Sequence, residues 1–290
     1  MKLFLENKNK MKLSDKCSSI PLIGANILSI AKNILQDPKF RQVTELGGSK
    51  EIVALGDTAV EEAVAQYLQE NNIPVNFDGE EKRQRRLNKN PLGKITLDPI
   101  DGTDNFVDNT LHYCTIVSIF DSPNPRTLGQ AIWAGIYDHA SGKLAHFNKG
   151  VVSFSDNTGP LSPRPKRFKS LKDLTPEDYL KIFLDLGPRE TPEKLKPYED
   201  ILKISWRKSV GCAGYHLMEV AYGSRDAYIC PVQKPEELVA GIPLIKARGG
   251  EVLDFDGVRV SRVPYDFNTL YPIVAARTPQ LARRLVDLIK

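Results

Sequence analysis

The sequence has little of several features that would place it in a special class of protein. Its four cysteines, among 290 residues, show no C-x-x-C spacing, so we expect neither a disulfide scaffold nor a zinc cluster, and a reducing compartment is the simpler setting. Forty basic residues nearly balance 36 acidic ones, and a net charge of +4 predicts no nucleic-acid partner. The 41% apolar content predicts an ordinary globular protein with a real core.

Long hydrophobic runs are also missing. The longest charge-free stretch, residues 17–31, is shorter than the roughly 20 apolar residues that cross a bilayer, and it contains Pro21. The N-terminal residues place Glu6 and Asp15 in a long polar segment, unlike the basic start and apolar block of a secretory signal. We therefore expect a cytoplasmic protein with no membrane partner.

Hydrophobic periodicity predicts helices alternating with strands. A helical stripe runs from about Pro21 to the stop signal Asp37-Pro38, and a second helix begins at Thr58-x-x-Glu61, which has the form of a capping box. Strands are predicted over 74–77, 94–97, 115–120, 131–137, 179–183, 206–210 and 226–229, and near 252 and 273. Further helices are predicted to open at Thr191 and to cover 215–222, 235–247 and 279–289. This alternation predicts a layered α/β fold.

Residues 156–173, which are rich in proline and glycine among basic residues, are the best candidate for a domain boundary. The first twenty residues are polar and lysine-rich without a sustained period. We therefore predict a polar N-terminal arm over residues 1–20, an α+β subdomain over 21–158 and an α/β subdomain over 159–290.

The most informative segment is a predicted bend that carries two carboxylates, Asp98 and Asp101. A β-rich run, residues 95–97, leads into Asp98, and Gly102 turns the chain before Thr103. Mg²⁺ prefers oxygen ligands in octahedral geometry, and such a bend can direct two carboxylates and a backbone carbonyl to one point. The short pattern by itself is also typical of a plain Asp/Gly turn between strands.

The full string from Asp98 to Val107 closely resembles the first signature of the inositol monophosphatase family, and the resemblance extends over roughly residues 55–288. The wider superfamily includes fructose-1,6-bisphosphatases and phosphatases of 3'-phosphoadenosine 5'-phosphate. The resemblance implies an alternating α-β-α-β-α sandwich whose two subdomains share the site. It also implies a Mg²⁺-dependent phosphomonoesterase that acts on a small phosphorylated polyol, sugar or nucleotide, with two Mg²⁺ ions and a weaker third, in a homodimer.

The same resemblance implies a role for each matching residue. The ligands of the first ion are Glu80, Asp98 and the Ile100 carbonyl, and those of the second are Asp98, Asp101 and Glu237. Thr103, held by Asp57, relays the proton of the attacking water, which Glu80 helps to orient. The implied substrate contacts are Asp101, Gly102, Thr103, Gly211, Cys212, Ala213 and Cys230. Locally, Glu80 also fits a solvated acidic turn, and Asp57 also fits a stabilising residue at a helix start.

Downstream, the sequence departs from the family pattern. Where the second signature has Trp-Asp, this chain has Glu236-Glu237, and Pro243 lies inside the predicted helix. Cys230 stands where inositol monophosphatases have a Glu that contacts inositol hydroxyls. Two functions stay open: an active phosphatase, and a weakened relative that binds metal, a phosphorylated ligand or a protein partner. The basic run at 82–94 fits either a solvated loop or positive charge over an anionic substrate.

Overall fold

Helices and sheets alternate in five layers in the computed structural model, which describes residues 12–16, 19–46, 52–81, 85–110, 112–163, 179–187 and 190–289. The helices are α1 (Leu13–Lys16), α2 (Ile20–Leu35), α3 (Leu55–Glu70), α4 (Thr103–Val107), α5 (Pro192–Leu195), α6 (Glu199–Leu202), α7 (Ala213–Tyr222), α8 (Pro235–Ala247) and α9 (Pro279–Leu288). The predicted α-β-α-β-α sandwich is confirmed.

The strands form two large sheets and one small hairpin. They are β1 (Val43–Leu46), β2 (Ile52–Ala54), β3 (Val75–Gly79), β4 (Gly93–Asp101), β5 (Cys114–Phe120), β6 (Ala131–Asp138), β7 (Lys143–Asn148), β8 (Val151–Asp156), β9 (Gly159–Leu161), β10 (Leu180–Leu184), β11 (Ser205–Lys208), β12 (Ala227–Gln233), β13 (Glu251–Leu253) and β14 (Tyr271–Ala276). Strands β1 and β2 pair with each other in the hairpin.

The first large sheet has seven strands in chain order, β3 to β9. Only β3 and β4 run parallel within it, and every other neighbouring pair is antiparallel. Helices α2 and α3 cover one face, where Val60, Val64 and Leu68 of α3 are buried in one core with Phe77 and Leu97 of the sheet. Every residue of β4 is buried, so this strand carries its polar residues into the interior.

The second large sheet has five strands in the order β11-β10-β12-β14-β13. Helices α7 and α8 lie between the two sheets, and α6 and α9 cover the outer face of the second. Helix α8 occupies 235–247, as predicted, and continues through Pro243, which is buried with its neighbours. Packing on both sides therefore offsets the hydrogen bond that an interior proline removes.

The predicted capping box of the second helix is wrong. Helix α3 begins at Leu55, three residues before Thr58, because strand β2 leads directly into it. The Thr58 hydroxyl donates to the Leu55 carbonyl, and Glu61 is buried and accepts from the Glu81 amide at 2.8 Å. Thr58 and Glu61 therefore bind other groups and do not form a capping box.

Two features of the structure lie at the predicted domain limits. Strand β9 pairs with β8, so the first sheet continues past residue 158 to Leu161. Within the predicted arm over 1–20, Leu13 is fully buried and Ser14 binds the Asp121 carboxylate through its amide and hydroxyl groups. Residues 1–11, and residues 164–173 of the predicted boundary, lie outside the described residues. Among those described, no helix is both long enough and apolar enough to cross a membrane.

Candidate active site

Three buried carboxylates converge where β4 ends and α8 begins. Oxygen atoms of Asp98, Asp101 and Glu237 all lie within 4.8 Å of one another. Residues three apart on a regular strand face opposite sides, but the pairing register of β4 with β5 shifts by one residue between Asp98 and Asp101. This irregularity has the form of a bulge, which re-aims side chains, so both carboxylates can reach the same point.

Burial and mutual repulsion disfavour the charged forms of these carboxylates, and a bound cation would oppose both effects. Burial, together with repulsion from Glu80, raises the pKa of Asp98 well above its usual value. Burial also raises the pKa of Asp101 to about 6 and that of Glu237 well above normal. The Asp98 Oδ1 atom is buried and makes no hydrogen bond to any described residue. A set of buried carboxylate oxygens with an unused acceptor fits a hard cation such as Mg²⁺.

Helix α7 holds the Asp101 carboxylate at its N-terminus. The Ala213 amide donates to Asp101 Oδ1 at 3.0 Å, and the Gly214 amide donates to Oδ2 at 2.5 Å. The Cys212 thiol donates to the same Oδ2 at 3.0 Å. The Cys212 thiol and the Ala213 amide, both expected to contact substrate, bind Asp101 in this structure, because a helix N-terminus attracts the nearest carboxylate. The neighbouring Gly211 is exposed.

The Gly102-Thr103 turn lies beside Asp101. Gly102 has a φ of 84°, and a Cβ there would lie 3.1 Å from the carbonyl oxygens of Gly211 and His112. Only glycine fits this left-handed, crowded position without strain. The Thr103 hydroxyl, which is half-buried, donates to the Ile100 carbonyl at 2.8 Å.

The expected hydrogen bond between Asp57 and Thr103 is not formed. Asp57 lies in the first turn of α3, and its Oδ2 accepts from the Ala54 amide at 2.8 Å, which is the helix-start role that the sequence also allowed. Its Oδ1 is buried without a hydrogen bond to any described residue. Burial and repulsion from Glu80 raise the pKa of Asp57 well above normal. The Thr103 hydroxyl donates to the Ile100 carbonyl instead, so Asp57 and Thr103 have different partners.

Glu80 follows β3, beside Asp98 on the parallel neighbour strand. Its amide donates to the Leu97 carbonyl at 3.1 Å, and its Oε1 lies 2.7 Å from Nζ of Lys234. The turn that carries Glu80 is held by Glu61, whose carboxylate accepts from the Glu81 amide and lies against Gly79. Glu80 and its partner Lys234 therefore lie beside the carboxylate group, where Glu80 repels Asp98.

Glu237 combines a helix-capping role with its place in the carboxylate group. Its Oε2 accepts from the Lys234 amide at 3.1 Å and from the Gln233 side-chain amide. The Gln233 oxygen in turn accepts from the Tyr228 hydroxyl at 2.7 Å. Cys230, on the same strand as Gln233, is buried, and its thiol donates to the Val232 carbonyl at 3.2 Å. Burial raises the pKa of Cys230 to about 12, so the thiol is neutral.

Several residues that shape the site were not found from the sequence. The Asn105 side-chain amide donates to the carbonyls of His112 and Val210, which ties the turn after β4 to the segment before α7. Asn105 belongs to the string that carries the family resemblance, so a signal existed for it. Lys234 had no local signal, because its partner Glu80 lies 154 residues away.

Two residues of the basic run at 82–94, Arg85 and Lys94, serve the fold. Arg85 pairs with Glu61 and Glu62, and Lys94 is buried against Asp78 at 2.6 Å. Residues 82–84 lie outside the described residues. The sequence allowed this run to place positive charge over an anionic substrate. Arg85 and Lys94 instead pair with carboxylates of the fold.

Comparisons with known proteins agree with this geometry. The model of the inositol monophosphatase family matches residues 22–290. The Nus factor SuhB of Xylella fastidiosa is 28% identical over 172 residues, 58% of this chain and 57% of that protein. The inositol-1-monophosphatase of Bacillus subtilis is 27% identical over 166 residues, 56% of each chain. The chain thus spans little more than half the length of these two relatives.

Among solved structures, the extragenic suppressor protein suhB of Bartonella henselae superposes with a TM-score of 0.74. The superposition covers 93% of this chain and 98% of that one, at 16% sequence identity. At this identity the likeness shows that the two chains share a fold.

Proposed function

This chain belongs to the inositol monophosphatase family, and from that premise we propose that it is a metal-dependent hydrolase of small phosphomonoesters. The observation that carries the proposal is the group of buried carboxylates, Asp98, Asp101 and Glu237, whose oxygens lie within 4.8 Å of one another. Such a group is costly to bury without a cation. It favours an active enzyme over a weakened relative, because the substitution of Glu237 for the family's Asp leaves the carboxylate in the group.

We place Mg²⁺ at Asp98, Asp101 and Glu237. The family resemblance adds a second position at Glu80, Asp98 and the Ile100 carbonyl and a weaker third near Glu80. When bound, Mg²⁺ supplies positive charge to the phosphoryl oxygens and makes a water more acidic. The Ile100 carbonyl keeps one lone pair for a ligand role, since its hydrogen bond from Thr103 uses only one.

Thr103 and Glu80 are the groups that we propose to orient the attacking water. The Thr103 hydroxyl donates its hydrogen bond to the Ile100 carbonyl, so its oxygen can accept a hydrogen bond from that water. A relay from Thr103 to Asp57 requires both side chains to leave their present partners. We therefore assign Asp57 to the start of α3 and leave water orientation to Thr103 and Glu80. Gly102 and the exposed Gly211 stay candidates for backbone contacts with the substrate.

The substrate class that we propose is a small phosphorylated polyol, sugar or nucleotide, with fructose 1,6-bisphosphate and 3'-phosphoadenosine 5'-phosphate as alternatives. Cys230 is a neutral thiol bonded within its own turn, so it offers no carboxylate to a polyol hydroxyl. We therefore expect inositol 1-phosphate not to be the clearly preferred substrate.

The test is phosphate release from inositol 1-phosphate, fructose 1,6-bisphosphate and 3'-phosphoadenosine 5'-phosphate. Activity should disappear with chelator and return with Mg²⁺. Asp98→Asn should lower kcat/KM at least about 100-fold, or about 2.7 kcal/mol of transition-state stabilisation. The exposed Asp266→Asn is the matched control and should be fully active. Turnover by metal-free protein, or by Asp98→Asn at the rate of the control, contradicts the proposal.

We also propose a homodimer, which the family resemblance implies, and a cytoplasmic location, which the sequence predicts. Light scattering on the purified chain tests the first, since a monomer at micromolar concentration contradicts it. Cell fractionation tests the second.

A further inference from the structure

One positively charged side chain, Lys234, reaches into the carboxylate site. Its Nζ lies 2.7 Å from Glu80 Oε1, and the two side chains are only 30% and 17% exposed. Glu80 comes from the end of β3 in the first sheet, whereas Lys234 directly precedes α8. The ion pair therefore joins two layers of the fold at the point where the carboxylates meet.

The Lys234 ammonium also acts on the neighbouring carboxylates. It favours the charged forms of Asp98 and Glu237 and so lowers their pKa values, against the burial and repulsion that raise them. Its charge is thus directed at the metal ligands as well as at Glu80. Exposed ion pairs contribute little, but this pair is mostly shielded from solvent and faces several like-charged groups.

The backbone keeps Lys234 in this place. Its amide donates to Glu237 Oε2 at 3.1 Å, so the residue that carries the ammonium also caps α8. A backbone shift that moved the Lys234 side chain out of the site would break the hydrogen bond between the Lys234 amide and Glu237. A divalent ion bound at Glu80 would lie beside this ammonium and be repelled by it.

We propose that the Lys234 ammonium is the resident counter-ion of Glu80 and takes the place of one divalent ion. This inference rests on the proposed function and refines its metal count. The substrate-free protein then binds one Mg²⁺, at Asp98, Asp101 and Glu237, and the positions that use Glu80 are closed to metal. The group of carboxylates whose oxygens lie within 4.8 Å of one another supports this count, because it contains Asp98, Asp101 and Glu237 but not Glu80.

The experiment counts bound ions rather than turnover. Mn²⁺, which takes the same hard oxygen ligands, is titrated into metal-free protein, and free Mn²⁺ is measured by electron paramagnetic resonance. Lys234→Met removes the charge but keeps the length and the backbone cap. The matched control is Lys246→Met on the same helix, about 13 Å further along its axis than Glu237, where the lysine pairs with Glu251 at 3.2 Å.

The wild type, Lys246→Met and Lys234→Arg should each bind one ion per chain. Lys234→Met should bind two, and adding Glu80→Gln to that variant should return the count to one. Circular dichroism checks that each variant is folded. Two ions in the wild type, or one ion in folded Lys234→Met, overturns the inference and leaves the proposed phosphatase standing. No ion in the folded wild type contradicts the proposed function itself.

Discussion

The Asp101 carboxylate is held by the Gly214 amide, 113 residues further along the chain, at an N–O distance of 2.5 Å. Asp101 ends a strand of the first sheet, and Gly214 lies in the first turn of α7 between the sheets. The metal ligand is thus oriented by a backbone group of another layer. Groups that orient metal ligands typically change metal affinity by about 10–100-fold when they are altered.

Gly214→Ala should therefore weaken Mg²⁺ binding by at least about tenfold. A Cβ at this position would lie 3.0 Å from Asp101 Oδ2 and 2.8 Å from Ile116 Cδ1, so the carboxylate must move. Isothermal titration calorimetry measures the affinity. Gly24→Ala is the control, because its Cβ would meet the Trp133 ring at 2.4 Å, in the core on the other face of the sheet. That variant should lower Tm but bind Mg²⁺ normally, and equal affinities for both variants contradict the orienting role.

Asp57→Asn should leave most of the activity, with kcat lowered less than about tenfold, because Asn can still accept from the Ala54 amide. Its neutral side chain also removes repulsion with Glu80, so Tm without metal should stay equal or rise. Thr103→Val, which removes the hydroxyl, should lower kcat by about 100-fold. Steady-state kinetics on both variants decides between the two roles of Asp57. If Asp57→Asn is as slow as Thr103→Val, an Asp57–Thr103 relay forms during the reaction.

Glu237→Gln should lower the affinity for Mg²⁺ at least about tenfold, because the ligand loses its charge while the amide oxygen keeps the cap on α8. Glu236→Gln is the control on the adjacent residue. Glu236 does not belong to the group of carboxylates whose oxygens lie within 4.8 Å of one another, so its neutralisation should weaken binding less than that of Glu237. Calorimetric titration of both variants at one pH makes the comparison. Unchanged affinity in Glu237→Gln leaves this residue only its capping role.

Acid should destabilise the protein through His216. The Val210 amide donates to His216 Nε2 at 3.2 Å, so the ring is neutral, and burial with repulsion from His112 and Arg225 lowers its pKa to about 3. The unfolded chain takes up this proton near pH 6.5. Stability is therefore present above pH 6.5 and lost as the pH falls towards 3, at up to about 1.4 kcal/mol per pH unit.

The measurement is the free energy of unfolding in urea between pH 7 and 4.5, for the wild type and for His216→Gln. The glutamine cannot titrate, so the variant should show a shallower decline. Burial also lowers the pKa of His139 to about 3, which adds a similar slope to both proteins and cancels in the comparison. Parallel declines would show that His216 is not responsible.

Much of the fold followed from local pattern. The helix over 235–247 and the strands near 115–120 and 131–137 lie where periodicity predicted them. A long apolar stripe at helical spacing buries its apolar face best as a helix, and a β-branched run favours a strand. Strands β7 and β8 were missed, since their half-buried residues mix polar and apolar types without strict alternation. The start of α3 was misplaced because Asp57, the third residue of the helix, accepts from the amide of the N-cap residue Ala54, and Thr58 lies inside the helix.

The sequence by itself determined which carboxylates form the site, because Asp98 and Asp101 stand in one short string and Glu237 keeps its spacing in the second signature. Only the tertiary structure decided what surrounds them: Lys234 against Glu80, and Ala213 and Cys212 bound to Asp101. The physical reason is the length of chain between partners. Residues more than a hundred positions apart meet only after the two sheets have packed around α7 and α8, and no local pattern records which polar groups that packing brings together.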